Sequence, residues 1–236
     1  MTKKGKPPRA PMTDDQLWYI TPEEFLTLTS EEQGRLKEVN KLKDLERKAT
    51  TALLLAEQVP LVADLRAVGL NVDTIDDVVR RAEPYPEAIS VLLKHLMMPY
   101  SDVIRDRIAR ALAVPEPEVR AAWPMLVEEY RKAPTGWGVT VKGISREYKF
   151  GLKGGLACAL AASVGEDQLP ELIALAKDPV NGSSRVILLM ALKKRRGKNP
   201  LVDQAIKDLA QDPGLAKEIA SWTPNRKSEE KRRSAP

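Results

Sequence analysis

The stretches Ile104–Val114 (IRDRIARALAV), Gly151–Ala161 (GLKGGLACALA) and Ser184–Lys194 (SRVILLMALKK) carry one pattern three times. In each, a basic residue stands seven positions before the leucine of an Ala-Leu pair: Arg105 before Leu112, Lys153 before Leu160, Arg185 before Leu192. Seven residues are about two helical turns, so the charge and the leucine share one helix face. A helix recurring with an apolar seam and a charge fixed beside it marks a helical repeat array, in which each unit buries its neighbour's apolar face. The expected fold is all-α: a solenoid of helix pairs with an N-terminal helical extension.

The surrounding chain fits two helices at a time. Glu87–Met98 and Asp102–Val114 flank a Pro99-Tyr100-Ser101 turn, and Glu118–Lys132 is followed by a long connection before Gly151–Val164. Leu169–Lys177 and Ser184–Arg195 flank DPVNGSS, and Val202–Gln211 and Leu215–Trp222 flank DPG. The Ala-Leu leucines lie 48 and then 32 residues apart, and the connection at 133–149 accounts for the difference. Upstream, Thr21-Pro22-Glu23-Glu24 is a helix start with Thr21 as N-cap and Glu24 at the third position. Ser30 with Gln33 repeats the device before a long helix through Val59, whose Leu36, Val39, Leu42, Leu45, Ala49, Ala52 and Leu53 predict a packed apolar face. The domain reading is a basic tail at 1–12, an N-terminal helical segment at 13–83, a repeat array at 84–222 and a second basic tail at 223–236.

Composition supports helices over sheets. Hydrophobic residues make up 43% and aromatics only 5%, a balance suited to close-packed Ala/Leu helices. The net charge of +5 is misleading until it is divided: residues 1–11 carry +4 and 224–236 carry +3, which leaves 12–223 at −2. The basic charge therefore belongs to tails expected to be disordered and solubilising, and a general nucleic-acid affinity of the body loses its compositional support. One cysteine excludes an internal disulfide, and Cys158 in GLACALA reads as a packing residue. LLLAEQVPLVADL is broken by Glu57, Pro60 and Asp64, so no membrane span is expected, and no apolar segment follows the N-terminal lysines. The expected location is the reducing cytoplasm.

From about residue 85 to 222, these segments resemble HEAT repeats, or the related HEAT-like repeats of the PBS-lyase type. That resemblance implies antiparallel helix pairs with an Asp near the turn and an Arg early in the second helix. Asp102 and Arg105 occupy both positions, and Arg185 occupies the second, whereas Asn181 and Ser183 stand where an Asp belongs and Lys153 replaces the Arg. HEAT arrays serve many roles, so the resemblance speaks to fold and is nearly silent on function.

Arg105, Lys153 and Arg185 have two readings: they line a concave face and grip a partner's anionic groups, or they bond turn carbonyls and acids of neighbouring units. The insertion joins Trp137 and Tyr148 to Lys142, Arg146 and Lys149, and Val139–Val141 pairs as a hairpin with Ile144–Tyr148 around Lys142-Gly143; it serves as a binding loop or as a lid. Lys193–Arg196 with Lys198 is a helix C-terminal charge cluster or a nucleic-acid patch. His95, the only histidine, reads as a packing residue, and Trp18, Tyr19 and Trp222 as staples between terminal helices. No Cys/His set has metal-ligand spacing, no phosphate-cradling Gly loop is present, and no catalytic set or cofactor is expected.

The leading functional expectation is a non-enzymatic scaffold for protein–protein interaction. It binds a protein partner through its concave face and the 133–149 loop, with Arg105, Trp137, Lys142, Arg146, Tyr148, Lys153 and Arg185 as contacts. The second reading is a nucleic-acid binder similar to the HEAT-like alkylpurine DNA glycosylases. The third, a phycobilin lyase-like role, has no residue in its favour.

Overall fold

The computed structural model describes residues 9–135 and 151–222, and the backbone of 137–141 and 144–147. The chain divides into two compact units, residues 1–57 and 58–236. Among the described residues it is all-α apart from one two-stranded hairpin.

In the N-terminal unit, α1 (Asp14–Trp18), α2 (Pro22–Phe25) and α3 (Ser30–Glu57) each start on a threonine. Thr13 with Gln16 and Thr21 with Glu24 form capping boxes, in which the threonine side chain accepts from the third helical N–H and the third side chain accepts from the cap's own N–H. Thr29 and Glu32 exchange the same two bonds, at 3.2 and 2.9 Å. The long helix is thus capped one residue before the expected Ser30. Thr29 wins because its partner three residues on is a carboxylate, which also accepts the Met12 N–H at 2.7 Å and the Arg9 guanidinium at 2.9 Å. Those bonds hold Glu32 at a pKa of about 2. Of the expected tail at 1–12, Arg9 and Met12 are consequently fixed on α3, with Met12 buried; residues 1–8 and 223–236 lie outside the described residues.

Only the first half of α3 packs as its pattern implies. Leu36 and Val39 are buried, α1 lies against α3, and Lys43 extends over the Trp18 ring. The rest of the expected apolar face, Leu42, Leu45, Ala49, Ala52 and Leu53, is exposed. The helix ends at Glu57 instead of Val59, because Pro60 lies in the first turn of the next helix.

The second unit opens with α4 (Val59–Ala67) and α5 (Ile75–Val79), then α6 (Ile89–Leu96) and α7 (Asp102–Ala111). There follow α8 (Pro117–Ala121), α9 (Trp123–Lys132), the hairpin of β1 (Trp137–Val141) and β2 (Ile144–Glu147), and α10 (Gly151–Ser163). The last elements are α11 (Leu169–Lys177), α12 (Arg185–Arg195), α13 (Pro200–Leu209) and α14 (Ala216–Ser221). The expected helix over 118–132 is split between α8 and α9, with Pro124 in the first turn of α9. The hairpin forms in the expected register, with Thr140 opposite Ser145 and Val141 opposite Ile144.

Corresponding helices of successive pairs pack side by side. α5 lies on α7, α7 on α10 and α10 on α12, while α4 lies on α6, α6 on α8 and α11 on α13. The two rows meet along a core that includes Leu65, Ile75, Leu92, Ile108, Leu112, Leu126, Leu156, Leu160, Leu172, Leu188 and Leu192. The α4/α5 pair belongs to this unit, so the boundary falls at 57/58 and not at 83/84. The expectation placed it later because α5 is too short to carry a seven-residue charge–leucine pattern.

α7 and α10 approach each other closely at Gly155. A Cβ on Gly155 would stand 2.6 Å from the Asp106 carbonyl oxygen and 3.2 Å from the Ala109 Cβ. Gly155→Ala is expected to destabilise the chain by about 1–3 kcal/mol through overpacking, read as a lowered urea midpoint at unchanged slope. Glu32 contributes to the acid response of the N-terminal unit. Its folded pKa lies below the ordinary 4.5, so its stabilisation is complete above about 4.5 and is lost as pH falls towards 2. Glu32→Gln is expected to weaken the unit at neutral pH and to flatten the pH dependence of its unfolding between 5 and 2, followed by circular dichroism.

Candidate partner-binding face

The three basic residues that reveal the repeat all point inward. Arg105 donates through Nε to the Leu96 carbonyl at 3.2 Å and through Nη2 to Glu129 at 2.6 Å. Lys153, 2% exposed, donates to the Ala133 carbonyl at 3.0 Å and lies over the Tyr130 ring. Arg185, also buried, donates to the Ala176 and Gly182 carbonyls and pairs with Asp212 at 2.5 Å. Leu96, Ala133 and Ala176 close α6, α9 and α11, the helices that precede α7, α10 and α12. The last carbonyls of a helix have no intrahelical donor and carry the negative end of its dipole. Each basic residue therefore caps the first helix of its own pair, and the two arginines also reach an acid of the following pair.

This geometry corrects the assignment of Lys153 and Arg185 as partner contacts: both are buried, with their donors engaged inside the fold. Arg105 is half-buried in the same arrangement. Burial pushes the Lys153 ammonium below its ordinary pKa, partly offset by Asp178, and pushes the Tyr130 phenol up to about 12. Arg185 holds Asp212 below the usual carboxylate range. Tyr130 Oη and Ser184 Oγ share a hydrogen bond at 2.9 Å. Asn181, which stands where the resemblance calls for Asp, donates from Nδ2 to the Leu175 carbonyl at 2.9 Å. The side chains of Trp137, Lys142, Arg146 and Tyr148 lie outside the described residues.

What α7, α10 and α12 leave accessible is a different set. On α7 the stripe is Val103, Arg107 and Arg110; on α10 it is Gly151, Cys158, Ala161 and Ala162; on α12 it is Val186, Ile187, Met190, Lys193 and Lys194. Because α10 packs between α7 and α12, its small side chains lie between longer ones. The charges on the α7 side are matched: Arg107 pairs with Asp76 at 2.6 Å and Arg110 with Asp106 at 3.0 Å. Arg110 Nη1 also lies 3.9 Å from Cys158 Sγ, tying the α7 and α10 stripes together. Burial raises the Cys158 pKa, so the group is a neutral thiol at neutral pH. The middle of this face is uncharged and small, with lysines along its α12 edge.

His95 is buried by packing, as expected, but it also has polar partners the sequence did not reveal. Nδ1 lies 2.8 Å from Tyr100 Oη, and Nε2 lies 2.9 Å from Asp64 Oδ2, which also accepts from Lys94. Ionised Asp64 makes Nε2 the protonated nitrogen and leaves Nδ1 to accept from the phenol, so the trio ties α4 to α6 and its following turn. Trp222 is buried at the end of α14, donating to Glu218 at 2.8 Å with Lys193 over its ring. Trp123, not singled out by any motif, donates to Glu171 at 2.8 Å and so joins α9 to α11. Arg195 and Arg196 of the basic cluster bond Glu166 and the Trp222 carbonyl, respectively. Among the described residues, no group of three His, Cys, Asp or Glu side chains is placed to hold a metal ion, and no helix is long and apolar enough to cross a membrane.

The capping role has a direct readout. Arg185→Met removes one partner of a largely buried pair and takes the guanidinium from Asp212, from the Ala176 helix-end carbonyl and from the Gly182 turn carbonyl. It is expected to cost about 3 kcal/mol, with Asp212→Asn costing less. A urea midpoint indistinguishable from the parent chain would return Arg185 to the surface roles. Comparison with protein-family models, curated proteins and solved structures returned no match, so the functional reading rests on this geometry.

Proposed function

We propose that the chain is a non-enzymatic HEAT-like α-solenoid that binds a protein partner. Its docking surface is the exposed face of α7, α10 and α12 together with the 133–149 insertion. The observation that carries this reading is the charge-matched, small-residue stripe Gly151, Cys158, Ala161 and Ala162 set between the longer side chains of α7 and α12. Side-by-side packing of successive second helices, each with a basic residue capping the helix before it, is what a stack of related helix pairs requires. Apolar contact over so flat a floor favours a protein segment over a phosphate backbone. Binding to phosphates draws on unpaired lysines and arginines, whereas Arg107 and Arg110 are matched by acids of the same chain.

On this reading the insertion supplies the aromatic contact. A hairpin between α9 and α10 carries Trp137 at the start of β1, and aromatic anchors supply much of the energy at protein interfaces. The Arg105–Lys153–Arg185 ladder contributes only by holding the surface in register.

The test is affinity capture by the full chain, compared with Ala162→Arg, Met190→Asp and a deletion of 134–148. The three changes are expected to lose the same partner, while Leu26→Glu, at an exposed position of the N-terminal unit, retains it. Retention of every partner by all three variants would refute the assignment. Duplex DNA binding that falls steeply with salt would select the nucleic-acid reading instead.

A further inference from the structure

The second half of α3 has no packing partner in its own unit, yet its sequence is that of a buried helix. Residues 49–56 read ATTALLLA, with no charge, and Leu42, Leu45 and Leu53 are 52%, 62% and 72% exposed. Leu42, Leu45, Ala49, Ala52 and Ala56 step by three, four, three and four. At about 100° per residue they fall on one stripe, opposite the face that buries Leu36. A helix with such a seam persists when another apolar surface covers it.

We propose that α3 pairs antiparallel with α3 of a second copy of this chain, about a two-fold axis at the level of Thr50 and Thr51. The seam is self-complementary in this arrangement. Leu45 faces Ala56 of the second copy at each end of the contact and Ala49 faces its Ala52 at the centre, so no leucine of the seam meets a leucine. A parallel pair would set Leu42 and Leu45 against themselves at one end and alanine against alanine at the other.

Charge selects the same arrangement. Residues 41–48 carry Lys41, Lys43, Arg47 and Lys48 against Asp44 and Glu46, a balance of +2, and residues 49–56 carry none. Antiparallel pairing lays each charged half beside the uncharged half of the other helix. There the stems of Glu46 and Lys48 cover Leu53 and Leu55 of the second copy while their heads stay in water. Parallel pairing would bring the two +2 segments together. The Arg47–Asp44 pair, at 3.0 Å, lies on the face turned away from the seam. The isologous contact closes on itself and yields a dimer.

The test is the mass of the full chain by size exclusion with light scattering, from low to high micromolar concentration. A dimer is expected to form with increasing concentration. Leu45→Glu and Ala52→Glu are expected to abolish it, and Thr51→Glu, on the opposite side of α3, to leave it intact. The side chains at all three positions are exposed within the protomer, so helicity by circular dichroism should not change. Orientation is read in a Cys158→Ala background: oxidation is expected to cross-link the Ala49→Cys/Ala52→Cys double variant and not Ala49→Cys alone. A monomer at every concentration, a dimer that survives Leu45→Glu, or cross-linking of Ala49→Cys alone would each overturn the proposal. Because the protein-binding face is on α7, α10 and α12, none of these outcomes bears on it.

Discussion

The C-terminal unit depends on how it ends its helices. Four carbonyls at each helix C-terminus lack an intrahelical donor, and a helix end that packs against neighbours is also cut off from water. Arg105, Lys153 and Arg185 meet that constraint from the first turns of the following helices, donating to Leu96, Ala133 and Ala176. The chemistry varies with the setting. The two arginines also reach an acid of the next pair, Arg105 through Nη2 to Glu129 and Arg185 through Nη1, which it shares with Ala176, to Asp212. The ammonium of Lys153, enclosed beside Tyr130, is a single point of charge. At the position where the 133–149 insertion separates the two helices, the ladder therefore reaches a carbonyl and no acid of the next pair.

Much of this architecture was legible because helical spacing is a strong signal. The seven-residue interval located three second helices and the charge on each, and Leu169–Lys177 was bounded to the residue. The sequence offered two directions for that charge without choosing between them. The sequence left two readings of Lys153 open, a partner contact or a bond to a turn carbonyl, and the acceptor that selects the second, the Ala133 main-chain oxygen, is one that no side-chain pattern identifies. His95 has the same lesson in another form. Its apolar neighbours gave its burial, but its partner Asp64 lies on a different helix and Tyr100 in the following turn, so their convergence exists only after α4 and α6 pack.

The accessible face shows a third kind of limit. Gly155 and Ala162 belong to the same small-residue run, and composition treats them alike. Gly155 is required by the approach of α7, with the Asp106 carbonyl where a side chain would stand, while Ala162 remains accessible. Which small residue serves packing and which forms a surface follows from the neighbours of α10. Of the two readings of the basic triplet, the structural one describes Lys153 and Arg185, and the least conspicuous residues became the candidate surface.

The two units are held together by different physics. The N-terminal unit relies on local bonds: capping threonines at 13, 21 and 29, spaced by eight, and the Glu32 carboxylate that gathers Met12, Thr29 and Arg9. The second unit relies on contacts distant in sequence, such as Arg105 to Glu129 and Trp123 to Glu171, which exist only when successive pairs are stacked. Local capping fixes where a helix begins but buries little apolar area, and area removed from water is the larger source of stability. A 28-residue helix built on capping, with its second half uncovered, is therefore incomplete as an isolated element. The leucines of α3 are better understood as half of an apolar contact than as surplus hydrophobic surface.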